Sequence, residues 1–223
     1  MARQRVEVKA QDGVTPKTFS ELYPRLYHMS HEHAWEQIQR HGLLSTTSIL
    51  DLWEVKGTQR TRIEGEIRRS RVELNHLAHG RVVIRDQKPM YEKKLRKALL
   101  DCTPEEWCNL LNRKVFFWPS MERLNTHMSA RENRGEKHLV LTLDSYRLTV
   151  AYENKITLCP LNSGNTIPFA HKRGIQSLMP MHEYPFTERL RRGPYYTVVE
   201  LAVEVGVPDI LNFVTSVDYL RAR

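Results

Sequence analysis

The stretch Tyr196-Thr197-Val198-Val199-Glu200-Leu201-Ala202-Val203-Glu204-Val205 reads as a β-strand, and its pattern decides the fold. Side chains alternate along a strand, so Val199, Leu201, Val203 and Val205 form one apolar face, while Val198, Glu200, Ala202 and Glu204 share the other. A carboxylate in mid-strand beside small residues is placed for chemistry. The plainer reading is a half-exposed strand whose outer face is acidic because it meets water, and Glu204 fits it. Glu200 depends on what the rest of the chain supplies. A turn, Gly206-Val207-Pro208-Asp209-Ile210, follows, with Pro208 eight residues beyond Glu200.

Upstream, helix and strand signals alternate. Leu26 to Met29 is a short strand, and Ser30 can cap a helix whose buried stripe is Ala34, Trp35 and Ile38 and whose end is Gly42. Ser48 to Val55 continues as a second short helix, and Arg60 to Glu73 is charged and loosely patterned. Val82-Val83-Ile84 is a strand running into Arg85-Asp86-Gln87, polar residues that a strand end can present to a cleft. Thr103-Pro104-Glu105-Glu106 is a capping box with proline at the first helical position. Val115-Phe116-Phe117-Trp118 is a strand ended by Pro119, and Ser120 opens a helix through about Asn133. Leu139 to Leu143 and Ile156 to Leu161 are further strands. These signals predict one α+β domain over 1–223, with 1–22 as a loosely ordered N-terminal arm.

The chain has 34 Lys and Arg against 26 Asp and Glu, a formal charge of +8, which favours polyanionic partners. The cations cluster at Arg68, Arg69 and Arg71, at Lys93, Lys94, Arg96 and Lys97 on a solvated helix face, and at Arg189, Arg191 and Arg192. The first residues lack the apolar run of a signal peptide, and no window has the apolar length of a membrane span, so a cytoplasmic location without membrane contact is expected. Cys102, Cys108 and Cys159, odd in number and without CxxC spacing, argue for free thiols. His28, His31 and His33 match no metal motif, so no metal is expected.

From Pro160 to Pro194, five prolines and three glycines leave little room for a long regular element. This long loop holds Phe169, Tyr184 and Phe186 together with Lys172, Arg173, Arg189, Arg191 and Arg192. Rings interleaved with cations suit stacking on bases and contact with phosphates, and equally suit a basic surface loop pinned by its aromatics.

The order of these pieces resembles ADP-ribosyltransferases: Leu26-Tyr27-His28-Met29-Ser30, a helix with Trp35 and Ile38, His41-Gly42-Leu43-Leu44-Ser45, the aromatic strand Phe116-Phe117-Trp118, then Val199-Glu200 ahead of Pro208. Most of all it is similar to the DarT-like toxins, which modify DNA bases. The resemblance implies two small packed β-sheets with surrounding helices, NAD as substrate, and contacts to it from His28, Met29, Ser30 and Gly42, with Ser30 standing where the family has Thr. It implies Glu200 as the catalytic carboxylate. It also implies an assisting arginine, for which Arg68 or Arg69, in an Ile-Arg-Arg context, competes with Arg85. The chain departs from the family in the long interval, Ile84 to Asn112, between those arginines and Phe116, which marks a cousin with its own substrate.

The residue types fit that chemistry. Cleaving nicotinamide from its ribose builds positive charge on the sugar, so a fixed carboxylate on the 2′-hydroxyl stabilises the transition state more than the ground state. An imidazole holds a ribose hydroxyl without adding charge. Phe117 or Trp118 can stack on a ring of the cofactor, although alternation lets only one of these neighbours face a cleft. No Walker loop or GxGxxG is present. The expectation is therefore a mono-ADP-ribosyltransferase modifying a base of single-stranded DNA or RNA, a toxin or phage-defence effector with an antitoxin protein as a partner. The alternatives are a non-catalytic or nucleolytic nucleic-acid-binding protein and a transferase with a protein acceptor.

Overall fold

The computed structural model describes residues 13–130 and 135–221. In chain order the first half runs α1 (Pro16–Leu22), β1 (Arg25–His31), α2 (Trp35–His41), β2 (Leu43–Leu44), α3 (Thr46–Leu52), α4 (Gly57–Gly65), β3 (Val72–His76) and β4 (Gly80–Ile84). The middle follows as α5 (Glu92–Ala98), α6 (Pro104–Asn112), β5 (Lys114–Phe117), α7 (Met121–Met128), β6 (Lys137–Asp144), α8 (Ser145–Tyr152) and β7 (Ile156–Cys159). The last part is β8 (Met179–Pro180), α9 (Phe186–Leu190), α10 (Pro194–Thr197), β9 (Glu200–Glu204), β10 (Gly206–Val207) and β11 (Val214–Arg221). The chain is thus mixed α and β, with several small separate sheets.

Two sheets carry the fold. One has the order β1-β6-β11 and the other β5-β9-β7-β8, both antiparallel throughout. Between them Leu139, Leu141 and Leu143 of β6 meet Val115 and Phe117 of β5 and Leu201 and Val203 of β9. The other face of β6 is also covered, because Val140 packs with Met29, Trp118, Leu124 and Met128 beneath α7. A strand buried on both faces loses its polar alternation, which is why Leu139 to Leu143 reads as an almost continuous apolar run. The capping box forms as read: the Thr103 hydroxyl accepts from Glu106 N–H while the Glu106 carboxylate accepts from Thr103 N–H at 2.7 Å. It starts α6, whose Trp107, Cys108 and Leu111 build a second cluster with Leu95 of α5 and Cys159 of β7.

Several expectations are corrected here. Within the expected N-terminal arm, residues 1–12 lie outside the described residues, but Pro16 to Leu22 is a helix capped by Thr15, with Phe19 fully buried in the main core. Ser30 does not cap α2: β1 extends through His31, and α2 starts after Ala34 without a side-chain cap. Tyr196 and Thr197 belong to α10, so β9 begins at Glu200 itself. Helix α7 stops at Met128, and Arg131 to Asn133 of its expected extension lie outside the described residues. Gly42 ends α2 as expected, at φ 77°, and a Cβ there would meet the Pro208 backbone at 2.4 Å. That close approach lets β2 pair with β10, which ties the first helix to the turn beyond Glu200.

Candidate active site

The two main sheets touch edge to edge at one bridge. Tyr27 N–H donates to the Trp118 carbonyl at 2.9 Å, and Trp118 N–H donates to the Tyr27 carbonyl at 2.8 Å. The His28 ring sits beside this bridge, its Nδ1 donating to the carbonyl of Phe116 at 2.9 Å. A carbonyl can only accept, so Nδ1 carries the proton. Burial holds the imidazole pKa down to about 4, so the ring is neutral at pH 7 and Nε2 accepts the Ser30 hydroxyl at 2.9 Å. His28 lies in the middle of β1 rather than at the strand end, and both ring nitrogens are engaged. A ligand hydroxyl reaches Nε2 only by displacing that of Ser30, which needs one side-chain rotation.

His28, Met29, Ser30 and Gly42 border a cavity of about 290 Å³. Glu200 borders a second of about 810 Å³. Thr46, Arg68, Asp86, Lys114, Phe116 and Trp118 line both, so the two form one continuous cleft with His28 in one part and Glu200 in the other. Register explains the wall: Lys114 pairs with Glu204 and Phe116 with Ala202, so Lys114, Phe116, Glu200, Ala202 and Glu204 share one sheet face. Phe117 points the opposite way, fully buried in the core, and is therefore corrected from cofactor contact to packing; Phe116 and Trp118 are the aromatics that line both parts of the cleft. Glu204 is held by Arg113 at 2.9 Å and by Lys114, a structural ion pair at the strand end.

Glu200 is only 4% exposed. Its Oε2 accepts the Ser163 backbone N–H at 3.0 Å. Burial pushes its carboxyl pKa up to about 7, opposed by the Ser163 hydrogen bonds and by the positive charges of Arg173 and Arg123. A carboxyl poised near neutrality in a cleft is the electrostatic signature of a functional site.

Arg173 explains how that hydrogen bond is built. It is 1% exposed, and its guanidinium donates to the carbonyls of Asn162 at 3.1 Å, Ser163 at 3.0 Å and His171 at 3.0 Å. This corrects its expected role, since a side chain enclosed by carbonyls cannot contact a phosphate; it instead folds the loop that presents Ser163 to Glu200. Lys172 donates to the Lys97 carbonyl at 2.9 Å, and Arg189 donates to the Thr197 carbonyl at 3.1 Å. Arg191 and Arg192 are exposed. Of the loop rings, Tyr184 and Phe186 are buried and Phe169 alone is exposed, so neither Tyr184 nor Phe186 is available for stacking.

The competing arginines separate clearly. Arg68 is half-buried in the wall shared by both cavities, donating to the Arg85 carbonyl at 3.0 Å and to Asn112 Oδ1 at 2.9 Å. Arg69 donates to the Met90 carbonyl at 2.7 Å and stands 5.3 Å from the ring centre of Tyr91, which lines the cleft while Arg69 itself does not. Arg85 borders the cavity around His28, and Asp86 and Gln87 border the cleft as the strand-end reading expected.

Arg123 was not legible as a site residue. It lies one turn into α7, whose first turn is fixed by Ser120 accepting from Arg123 N–H at 3.3 Å, and it stacks 3.9 Å above the Tyr195 ring. The signal available was position: a capped helix that follows Trp118-Pro119 directly must carry its first turn past the cleft.

No curated protein and no solved structure matches the chain. Residues 24–214 match a family described as a family of unknown function, DUF7002, and this span holds His28, Phe116, Arg123, Ser163 and Glu200. The chain belongs to the DUF7002 family.

Proposed function

We propose that the protein is an NAD-dependent mono-ADP-ribosyltransferase acting on a nucleic-acid base. The observation that carries this reading is the single cleft that holds a neutral His28 and a buried, near-neutral Glu200, with Phe116 and Trp118 on its wall and Arg68, Lys114 and Arg123 supplying positive charge. Its larger part, of about 810 Å³, lies within the roughly 300–1,000 Å³ common for ligand sites. In the reaction, the bond between nicotinamide and ribose C1′ breaks and its electron pair leaves with the nicotinamide ring. The ionised Glu200 accepts the ribose 2′-hydroxyl and offsets the charge that grows on the sugar, and the acceptor then forms the new bond to C1′ while losing its proton. Phe116 offers the face on which nicotinamide stacks, and Arg123 matches the diphosphate better than a lysine would.

A protein acceptor is the second reading. It is favoured by the loop cations, since Arg173 is enclosed and Lys172 and Arg189 are occupied by backbone carbonyls, which leaves less of that loop for phosphates. The test is incubation with NAD labelled in its adenylate, with separate pools of DNA, RNA and protein. Label is expected on nucleic acid; label on protein alone would establish the second reading, and no label with no nicotinamide released would remove both.

A further inference from the structure

The three-stranded sheet ends in a basic pocket distinct from the cleft floor. His31, the last residue of β1, pairs with His138 near the start of β6, and Arg221, the last of β11, pairs with Lys137. Together with Arg85 and Arg71 they enclose a cavity of about 200 Å³. Four side chains there are cationic, Arg71, Arg85, Lys137 and Arg221, against two carboxylates, Glu32 and Glu136. Glu136 is engaged in an ion pair with Arg71, and among the described residues Lys137 and Arg221 outnumber the remaining Glu32, so the field is positive. The His31 Nδ1 accepts His33 N–H at 3.3 Å, which places the proton of the neutral ring on Nε2. At about 30 Å³ per water, the space suits a tetrahedral anion with a few waters, not a nucleoside.

Its position gives it a role. The pocket shares His31 and Arg85 with the cavity around His28, so it opens off the end of the proposed NAD cleft. The cleft has its own cations, Arg68, Lys114 and Arg123, nearer Glu200. Lys137 and Arg221 are exposed, as a contact for a large ligand arriving from solvent must be.

We propose that this pocket is a phosphate-binding subsite that grips the backbone of a single-stranded nucleic acid whose target base enters the cleft. It rests on the nucleic-acid reading above and moves the acceptor's backbone contacts from the Pro160 to Pro194 loop to the end of the β1-β6-β11 sheet. The test compares wild type with Arg71→Gln/Lys137→Gln/Arg221→Gln, first by titration with inorganic phosphate and pyrophosphate, then by fluorescence anisotropy with a single-stranded oligonucleotide across a salt series. The neutralised variant should lose anion binding and should lower the slope of log affinity against log salt by about 1.4, at ~0.7 for each single-strand phosphate contact from Lys137 and Arg221, Arg71 being paired with Glu136. NAD affinity should stay within about twofold. Lys137→Arg/Arg221→Lys, which keeps the charge, should retain the wild-type slope and controls for loss of fold. Equal slopes in wild type and the neutralised variant would overturn the subsite. Weakened NAD binding with unchanged oligonucleotide binding would overturn it too, assigning the pocket to the cofactor diphosphate. Because these readouts are binding, a protein that grips the oligonucleotide through this pocket yet releases no nicotinamide would refute the transferase reading and leave the subsite standing.

Discussion

At the scale of single residues, Glu200 couples stability to pH. Its folded pKa of about 7 exceeds the ordinary value of 4.5, so between those pH values the folded protein binds more protons than the unfolded chain. The stability it contributes is present below pH 4.5 and is lost as pH rises through 7, a cost on the order of 3 kcal/mol once the buried carboxylate is ionised. Glu200→Gln should therefore melt above wild type at pH 8, with the gap closing towards pH 4.5; thermal unfolding across that range measures it, and a lower melting temperature at pH 8 would contradict the burial argument. Activity should follow the opposite course. If the proposed transfer runs through the Glu200 carboxylate, kcat/KM should rise with pH through a limb near 7. His28 adds no limb in that window, since its ring already sheds its proton by about pH 4. Ser30→Ala, which frees Nε2 without touching the ring, should tighten NAD binding or leave it unchanged in calorimetry, whereas His28→Ala should weaken it at least tenfold.

At the scale of elements, what was legible in the sequence is what local chemistry controls. The Thr103 capping box, the end of α2 at Gly42 and the apolar run of β6 depend on neighbours in the chain, and each stands where it was read. The cleft depends on pairings between distant segments. Which of Phe116, Phe117 and Trp118 faces it follows from the register of Phe116 with Ala202, which no local pattern reveals. Strand β3 escaped because Arg60 to Glu73 mixes helix and strand in one charged run, although its partner β4 was read at Val82 to Ile84, and β11 escaped because its exposed face breaks the apolar pattern. Arg173 was misread for the same reason: a cation in a proline-rich loop looks solvated until its three carbonyl partners are seen. Arg173→Gln should unseat the Ser163 turn and remove a favourable charge, moving the activity limb about one pH unit higher, with Arg173→Lys restoring part of the shift. A purely structural role would lower the melting temperature and leave the limb in place. Gly42→Ala, forced against the Pro208 backbone at positive φ, should cost roughly 2–5 kcal/mol in denaturant unfolding.

At the scale of the whole molecule, two sheets joined at the Tyr27 to Trp118 bridge leave one cleft between His28 and Glu200. That arrangement keeps a carboxyl out of water near its point of half-ionisation, an expense in stability that packing alone would not select. The central question is whether this carboxyl breaks the nicotinamide bond. The deciding measurement is the rate of nicotinamide release from NAD by wild type and by Glu200→Gln at pH 8, both verified as folded by circular dichroism. Release by wild type with a loss of two or more powers of ten in the variant is the expected result, the scale of removing one transition-state contact. Equal release by the two proteins, or none by wild type with every acceptor pool present, would contradict it.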